Sequence, residues 1–100
     1  MRRLLPVLLF VVASLSNAAT VEVRIEKMKF VPEEVRIKKG DTVVWKSYER
    51  RGYHTVLFEG VAESEPMFPD ESWKRKFDKK GEHPYICGPH PEMKGVVIVE

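Results

Sequence analysis

The sequence predicts an all-β domain of the sandwich or barrel kind. Residues 21–26 (VEVRIE) and 35–38 (VRIK) alternate apolar and charged side chains, a period of two that is typical of strands with one buried face. No stretch after residue 19 keeps a period of 3.6, so no amphipathic helix is predicted there. The 100 residues suit one domain, and a hydrophobic share of 43% suits a folded core.

Further strands are predicted from short β-rich runs bounded by turn signals. Pro84 within one of these runs predicts an edge strand or a distortion. Trp45, Tyr85, Phe77 and Phe30 are expected in the core, and the methionines at positions 28 and 67 are expected to pack against other side chains. The predicted strands are residues 42–46 after the turn Lys39-Gly40-Asp41, then residues 55–58, 72–77, 83–87 and 95–99.

The N-terminal segment has the three parts of a secretory signal peptide. Two arginines precede an uncharged apolar run over residues 4–13, and small residues follow at 16–19. We expect cleavage after Ala18, with cleavage after Ala19 as a close alternative, which predicts a signal peptide over 1–18 and a domain over 19–100. A membrane anchor is disfavoured because the run is shorter than the roughly 20 residues of a spanning helix and contains Pro6. The predicted location is therefore periplasmic or otherwise exported.

Charge and cysteine content exclude several classes of function. The chain has 17 basic and 15 acidic residues, and removal of Arg2 and Arg3 would leave 15 of each. With no net positive charge, the sequence gives no electrostatic reason to expect nucleic acid or an acidic membrane as a partner. The single cysteine excludes a disulfide within the chain and a zinc site built on several thiolates.

One segment carries the pattern of a metal site. Cys87, His90 and Met93 follow one another at intervals of three residues, in a stretch whose two prolines and glycine favour a stiff loop. Alone, Cys87 would more often be a small buried hydrophobe than a ligand, but the neighbouring imidazole and thioether reverse that expectation. Soft sulfur with imidazole favours copper, and His54 is a distant candidate for the second imidazole.

These residues resemble the cupredoxins, and in particular their small plastocyanin- and amicyanin-like members. Residues 28–32 (MKFVP) and 39–45 (KGDTVVW) are similar to the N-terminal half of that family, and the order of His54, Cys87, His90, Met93 and Gly95 is similar to its ligand pattern. The resemblance implies a Greek-key β-sandwich of about seven to eight short strands. It also implies one type 1 copper per chain, with His54, Cys87 and His90 as strong ligands and Met93 as the weak axial ligand.

The sequence departs from the family pattern in three places. Thr55 follows the first histidine where these relatives usually have Asn, so we expect Thr55 to change the redox potential or the rigidity of the ligand loop. His83 stands where an aromatic residue is typical; it could approach the metal, but we expect a satisfied core or edge histidine. The segment between His54 and Cys87 is also short for the family.

The expected function is single-electron transfer between redox partners, not catalysis. Four protein ligands leave no open coordination position, whereas catalytic metal sites keep one. The resemblance implies exported partners (a c-type cytochrome, an oxidase, a reductase or a dehydrogenase) that dock near His90, and a monomer without stable membrane insertion once the signal is removed. The main alternative is a periplasmic copper-binding protein or chaperone that stores or delivers the metal. A metal-free sandwich used in adhesion ranks behind both.

Overall fold

The computed structural model of the protein describes residues 18–100. Within this range the chain forms eight strands, and no helix there has the length and hydrophobicity that crossing a membrane requires. Most of the predicted signal peptide, residues 1–17, lies outside the described residues. The strands are β1 (Thr20–Glu26), β2 (Lys29–Val31), β3 (Glu34–Ile37), β4 (Thr42–Ser47), β5 (Leu57–Phe58), β6 (Ser72–Lys76), β7 (Gly81–Ile86) and β8 (Lys94–Val99).

The strands form two four-stranded sheets that pack as a Greek-key sandwich. One sheet has the order β2-β1-β4-β6 and the other has the order β3-β8-β7-β5. Two pairs, β1 with β4 and β3 with β8, are parallel, and the remaining pairs are antiparallel. The predicted fold class and strand number are therefore confirmed.

The alternation in the sequence places one face of each long strand in the core. Val23 and Ile25 of β1 are fully buried, and the charged residues between and beside them face solvent. In β4, Trp45 is also fully buried, and it packs edge-on against Tyr85 of the opposite sheet with ring centroids 5.3 Å apart. Since Trp45 also contacts Phe58 of β5 at 6.0 Å, it joins the two sheets at the centre of the sandwich.

Several local features differ from the sequence predictions. Strand β2 was not predicted, and β5 is shorter than the predicted run. Pro84 lies opposite Val96 of β8, just beyond the two residues of β7 that pair with β5, so it has a neighbouring strand on one side only. Met67 is buried as expected, but Met28 is 43% exposed because it lies in the turn between β1 and β2. The expectation for Met28 was therefore wrong.

The first described residues are fixed to the sandwich through Asp41. The carboxylate of Asp41 accepts the backbone N–H of Ala19 at 2.8 Å and that of Lys38 at 3.0 Å. These two hydrogen bonds hold the pKa of Asp41 below its ordinary value. Gly40 precedes it with a φ of +98°, a conformation that glycine adopts without a steric cost.

Candidate metal centre

The ligand loop spans residues 87–93, between the end of β7 and the start of β8. Its two ends are joined because the N–H of Cys87 donates to the carbonyl of Met93 at 3.1 Å. Inside the loop, the N–H of Met93 donates to the carbonyl of His90 at 2.9 Å. These bonds and the two flanking strands hold the loop in one shape, as the prolines in the sequence predicted.

The structure brings three of the predicted site residues together. Nδ1 of His54 and Nδ1 of His90 each lie 3.6 Å from Sγ of Cys87, and the three donor atoms are within 4.8 Å of one another. His54 and Cys87 are buried, whereas His90 is half-buried. One sulfur and two imidazole nitrogens at this spacing can surround a single soft metal ion.

His54 is held from both sides by residues distant in the sequence. Its backbone forms an isolated β-bridge with Met67, with N···O distances of 2.9 and 3.2 Å. Its Nε2 lies 2.8 Å from a carboxylate oxygen of Glu49. An ionised carboxylate only accepts, so this contact assigns the proton to Nε2 and leaves the lone pair of Nδ1 directed toward Cys87. The ring is thus presented in the tautomer that a metal ligand needs.

Glu49 also connects this histidine to the turn between β1 and β2. Its carboxylate accepts the backbone N–H of Lys27 at 3.1 Å and that of Met28 at 3.2 Å. Both turn residues have positive φ values, 54° and 60°, as a two-residue hairpin turn of type I′ requires. Sequence analysis missed Glu49, because nothing in the local pattern indicates that this carboxylate reaches the turn.

Thr55 makes two contacts with the segment around Cys87. Its backbone N–H points to Sγ of Cys87 at 3.5 Å, and its hydroxyl oxygen accepts the N–H of Gly88 at 2.9 Å. The same hydroxyl donates to a carboxylate oxygen of Glu63 at 2.6 Å. The sequence indicated the importance of Thr55, but not the part played by Glu63.

The other two sequence candidates have different surroundings. Met93 is only 3% exposed and is tied through its backbone to Cys87 and His90. His83 is not part of the cluster: its Nε2 lies 2.9 Å from the carbonyl of Lys79, and its ring packs edge-on against Phe77. The expectation of a satisfied histidine at position 83 agrees with this geometry.

Comparison with known proteins assigns the whole domain to one family of copper proteins. The sequence model of the family described as copper binding proteins, plastocyanin/azurin family, matches residues 17–100. Amicyanin-alpha of Methylorubrum extorquens is 43% identical over 89 residues, which cover 83% of this chain and 74% of that protein. The chloroplastic plastocyanin of Tetradesmus obliquus is 36% identical over 108 residues, covering 91% of this chain and 73% of the relative.

A solved structure agrees in fold as well as in sequence. The crystal structure of amicyanin from Paracoccus versutus superimposes with a TM-score of 0.75 at 40% identity, covering 87% of this chain and 85% of that one. An all-β sandwich in which a thiol and two imidazoles converge, with a buried methionine at the end of the ligand loop, defines the class of type 1 copper proteins.

The chain belongs to the plastocyanin/azurin family of copper binding proteins. It is an electron carrier rather than an enzyme, it exchanges electrons with redox partners, and its cofactor is one type 1 copper.

Proposed function

We propose that His54, Cys87 and His90 are the strong ligands of this copper and that Met93 is the weak axial ligand. The convergence of His54 Nδ1, Cys87 Sγ and His90 Nδ1 within 4.8 Å carries the proposal. The donor chemistry fits the metal, since His₂Cys with a weak Met is the ligand set of blue-copper electron-transfer sites. Copper bound there would supply a one-electron couple between Cu(II) and Cu(I).

The protein's part in this function is to keep the ligand geometry fixed. Glu49 orients the His54 ring, the bridge with Met67 fixes its backbone, and the hydrogen bonds of the ligand loop hold its two ends together. Burial of His54 and Cys87 keeps water away from these donors. A site that cannot relax between two oxidation states requires little reorganisation, which suits rapid electron transfer.

We place the exit of the electron at His90, the more exposed of the two histidines in the cluster. Pro89 and Pro91 on either side of it are exposed and apolar, which suits brief docking with a small contact area. Tyr53, which precedes His54, and Phe68 form a further exposed aromatic pair, with ring centroids 5.4 Å apart. The partners we propose are exported redox proteins: a c-type cytochrome, an oxidase, a reductase or a dehydrogenase. The carrier itself is proposed to act as a monomer.

We further propose that the protein is exported to the periplasm and that residues 1–18 are removed as a signal peptide, leaving the domain 19–100. The charged start, the apolar run and the small residues at 16–19 support this. Analysis of the secreted protein by mass spectrometry would give the first residue directly.

Titration of the reduced, metal-free protein with Cu(II) tests the ligand assignment. We expect an intense blue charge-transfer band that saturates at one copper per chain in the wild type and is lost in Cys87→Ala. The matched control is His83→Ala, which removes a histidine outside the cluster and should keep the band.

Two outcomes would contradict the assignment. A band that survives Cys87→Ala would mean that the thiolate is not the ligand. Loss of the band in His83→Ala at unchanged stability would mean that the wrong histidine was chosen. A copper that exchanges rapidly while electrons exchange slowly would instead favour storage or delivery of the metal.

A further inference from the structure

A carboxylate from a distant loop reaches the segment that follows Cys87. Glu63 lies in the connection between β5 and β6, and one of its oxygens accepts the hydroxyl hydrogen of Thr55 at 2.6 Å. Thr55 in turn accepts the N–H of Gly88, the residue next to the cysteine, at 2.9 Å. Glu63, Thr55 and Gly88 therefore form one continuous chain of hydrogen bonds that ends beside the thiol.

The direction of this chain depends on Glu63. A hydroxyl has one hydrogen, and an ionised carboxylate can only accept. Because the hydrogen of Thr55 is directed to Glu63, the oxygen of Thr55 keeps its lone pairs free for the N–H of Gly88. Without Glu63 the hydroxyl of Thr55 could rotate, and no other hydrogen bond of this hydroxyl among the described residues would keep its hydrogen directed away from Gly88.

The residue at position 88 leaves room for this contact. A Cβ built on Gly88 would coincide with the carboxylate of Glu63 and would lie 2.9 Å from Oγ1 of Thr55. Any side chain at position 88 would therefore displace Glu63 or Thr55. The glycine is explained by the approach of Glu63, whose carboxylate oxygen is the atom nearest to the position that a Cβ would take.

We propose that Glu63 is a positioning residue of the copper site, which fixes the Thr55 hydroxyl against the loop and lowers the reduction potential through its negative charge. The proposal rests on the proposed function. A nearby negative charge stabilises Cu(II), the more positive state of the site, relative to Cu(I). Hydrogen bonds around a coordinating residue likewise tune a metal's potential.

The two roles can be separated with two substitutions and a matched control. Glu63→Gln removes the charge but keeps an oxygen that can accept the hydroxyl of Thr55. Glu63→Ala removes both. Glu65→Gln removes the same charge two residues away, from a side chain that makes no hydrogen bond or ion pair within residues 18–100. The measurements are the electron-exchange equilibrium with a reference couple of known potential, and the hydrogen exchange of the Gly88 amide in the metal-free protein.

We expect Glu63→Gln to shift the redox equilibrium about tenfold toward the reduced protein, which corresponds to about 59 mV. Both glutamates are exposed, but only Glu63 is hydrogen-bonded to the site. Glu65→Gln should therefore shift the equilibrium less than about threefold, since the charge of Glu65 is screened by solvent. Glu63→Ala should speed exchange of the Gly88 amide about tenfold, the equivalent of one net hydrogen bond, whereas Glu63→Gln should leave it close to the wild type.

Equal redox shifts in Glu63→Gln and Glu65→Gln would overturn the electrostatic role. Unchanged exchange of the Gly88 amide in Glu63→Ala would overturn the positioning role. If the wild type bound no copper, the proposed function and the redox role would fail together. The amide measurement needs no metal, so it would still decide whether Glu63 positions the loop.

Discussion

Glu49 offers the sharpest test of how the fold supports the metal centre, through the substitution Glu49→Ala. The side chain of His54 is 2% exposed and that of Glu49 is 16% exposed, so water replaces their contact poorly. A hydrogen bond to a charged group contributes about 1.5–3 kcal/mol. The N–H groups of Lys27 and Met28 lie at the surface and can turn to water, so their loss adds only about 0.5 kcal/mol each. We therefore expect Glu49→Ala to lower the free energy of unfolding by about 2.5–4 kcal/mol.

The free energy of unfolding is measured by urea denaturation of the metal-free protein, and Tm is measured separately by thermal unfolding. A loss of this size corresponds to a fall of about 10–30 °C in Tm for a domain of this length. Glu65→Ala is the control and should cost less than about 0.5 kcal/mol, as exposed substitutions usually do. We also expect copper affinity to fall about 10- to 100-fold, because the His54 ring is no longer held in its ligand tautomer. If Glu49→Ala proved no more destabilising than Glu65→Ala, the reasoning from the 2.8 Å contact would be refuted.

Three further outcomes are expected from the same geometry. Asp41→Asn should destabilise the protein at pH 7, because the pKa of Asp41 is lower in the folded state than in the unfolded state. The contribution of the carboxylate to the free energy of unfolding is complete above the unfolded pKa near 4 and disappears as the pH falls through the folded pKa. The urea midpoints of the two proteins should therefore converge in acid. Gly88→Ala should cost about 1 kcal/mol less in a Glu63→Ala background than in the wild type, and a double-mutant cycle that gave no coupling would contradict the contact at position 88. Met67→Ala should lower the free energy of unfolding, measured by chemical denaturation, by about 2–5 kcal/mol, since the side chain is 1% exposed. A loss below about 1 kcal/mol would mean that neighbouring side chains move in to fill the cavity.

The sequence was sufficient for the strands with a regular alternation of apolar and charged residues. Strands β1 and β3 lie where the period of two placed them, within one residue at each end. The three-residue strand β2 escaped prediction because so short a segment has no measurable period, and its existence depends on pairing with β1. The parallel pairing of β1 with β4 is likewise a long-range property that no local pattern encodes.

The candidate site was predictable where its residues are chemically unusual. Cys87, His90 and Met93 stand close together in the sequence, and the order relative to His54 matches a known family. The carboxylates of Glu49 and Glu63 could not be predicted in the same way. Glutamate is common on any solvated surface, and what distinguishes these two is a bond across loops to His54 and to Thr55.

The hydrogen bond between Ala19 and Asp41 bears on the proposed removal of residues 1–18. Cleavage after Ala18 would turn the bonded nitrogen of Ala19 into an α-ammonium group, so that the 2.8 Å contact would become a charge-assisted pair with the Asp41 carboxylate. Cleavage one residue later would delete the donor altogether. The two possible products of the leader peptidase would therefore differ in stability as well as in length, and the one that begins at Ala19 would be the harder for exopeptidases to trim.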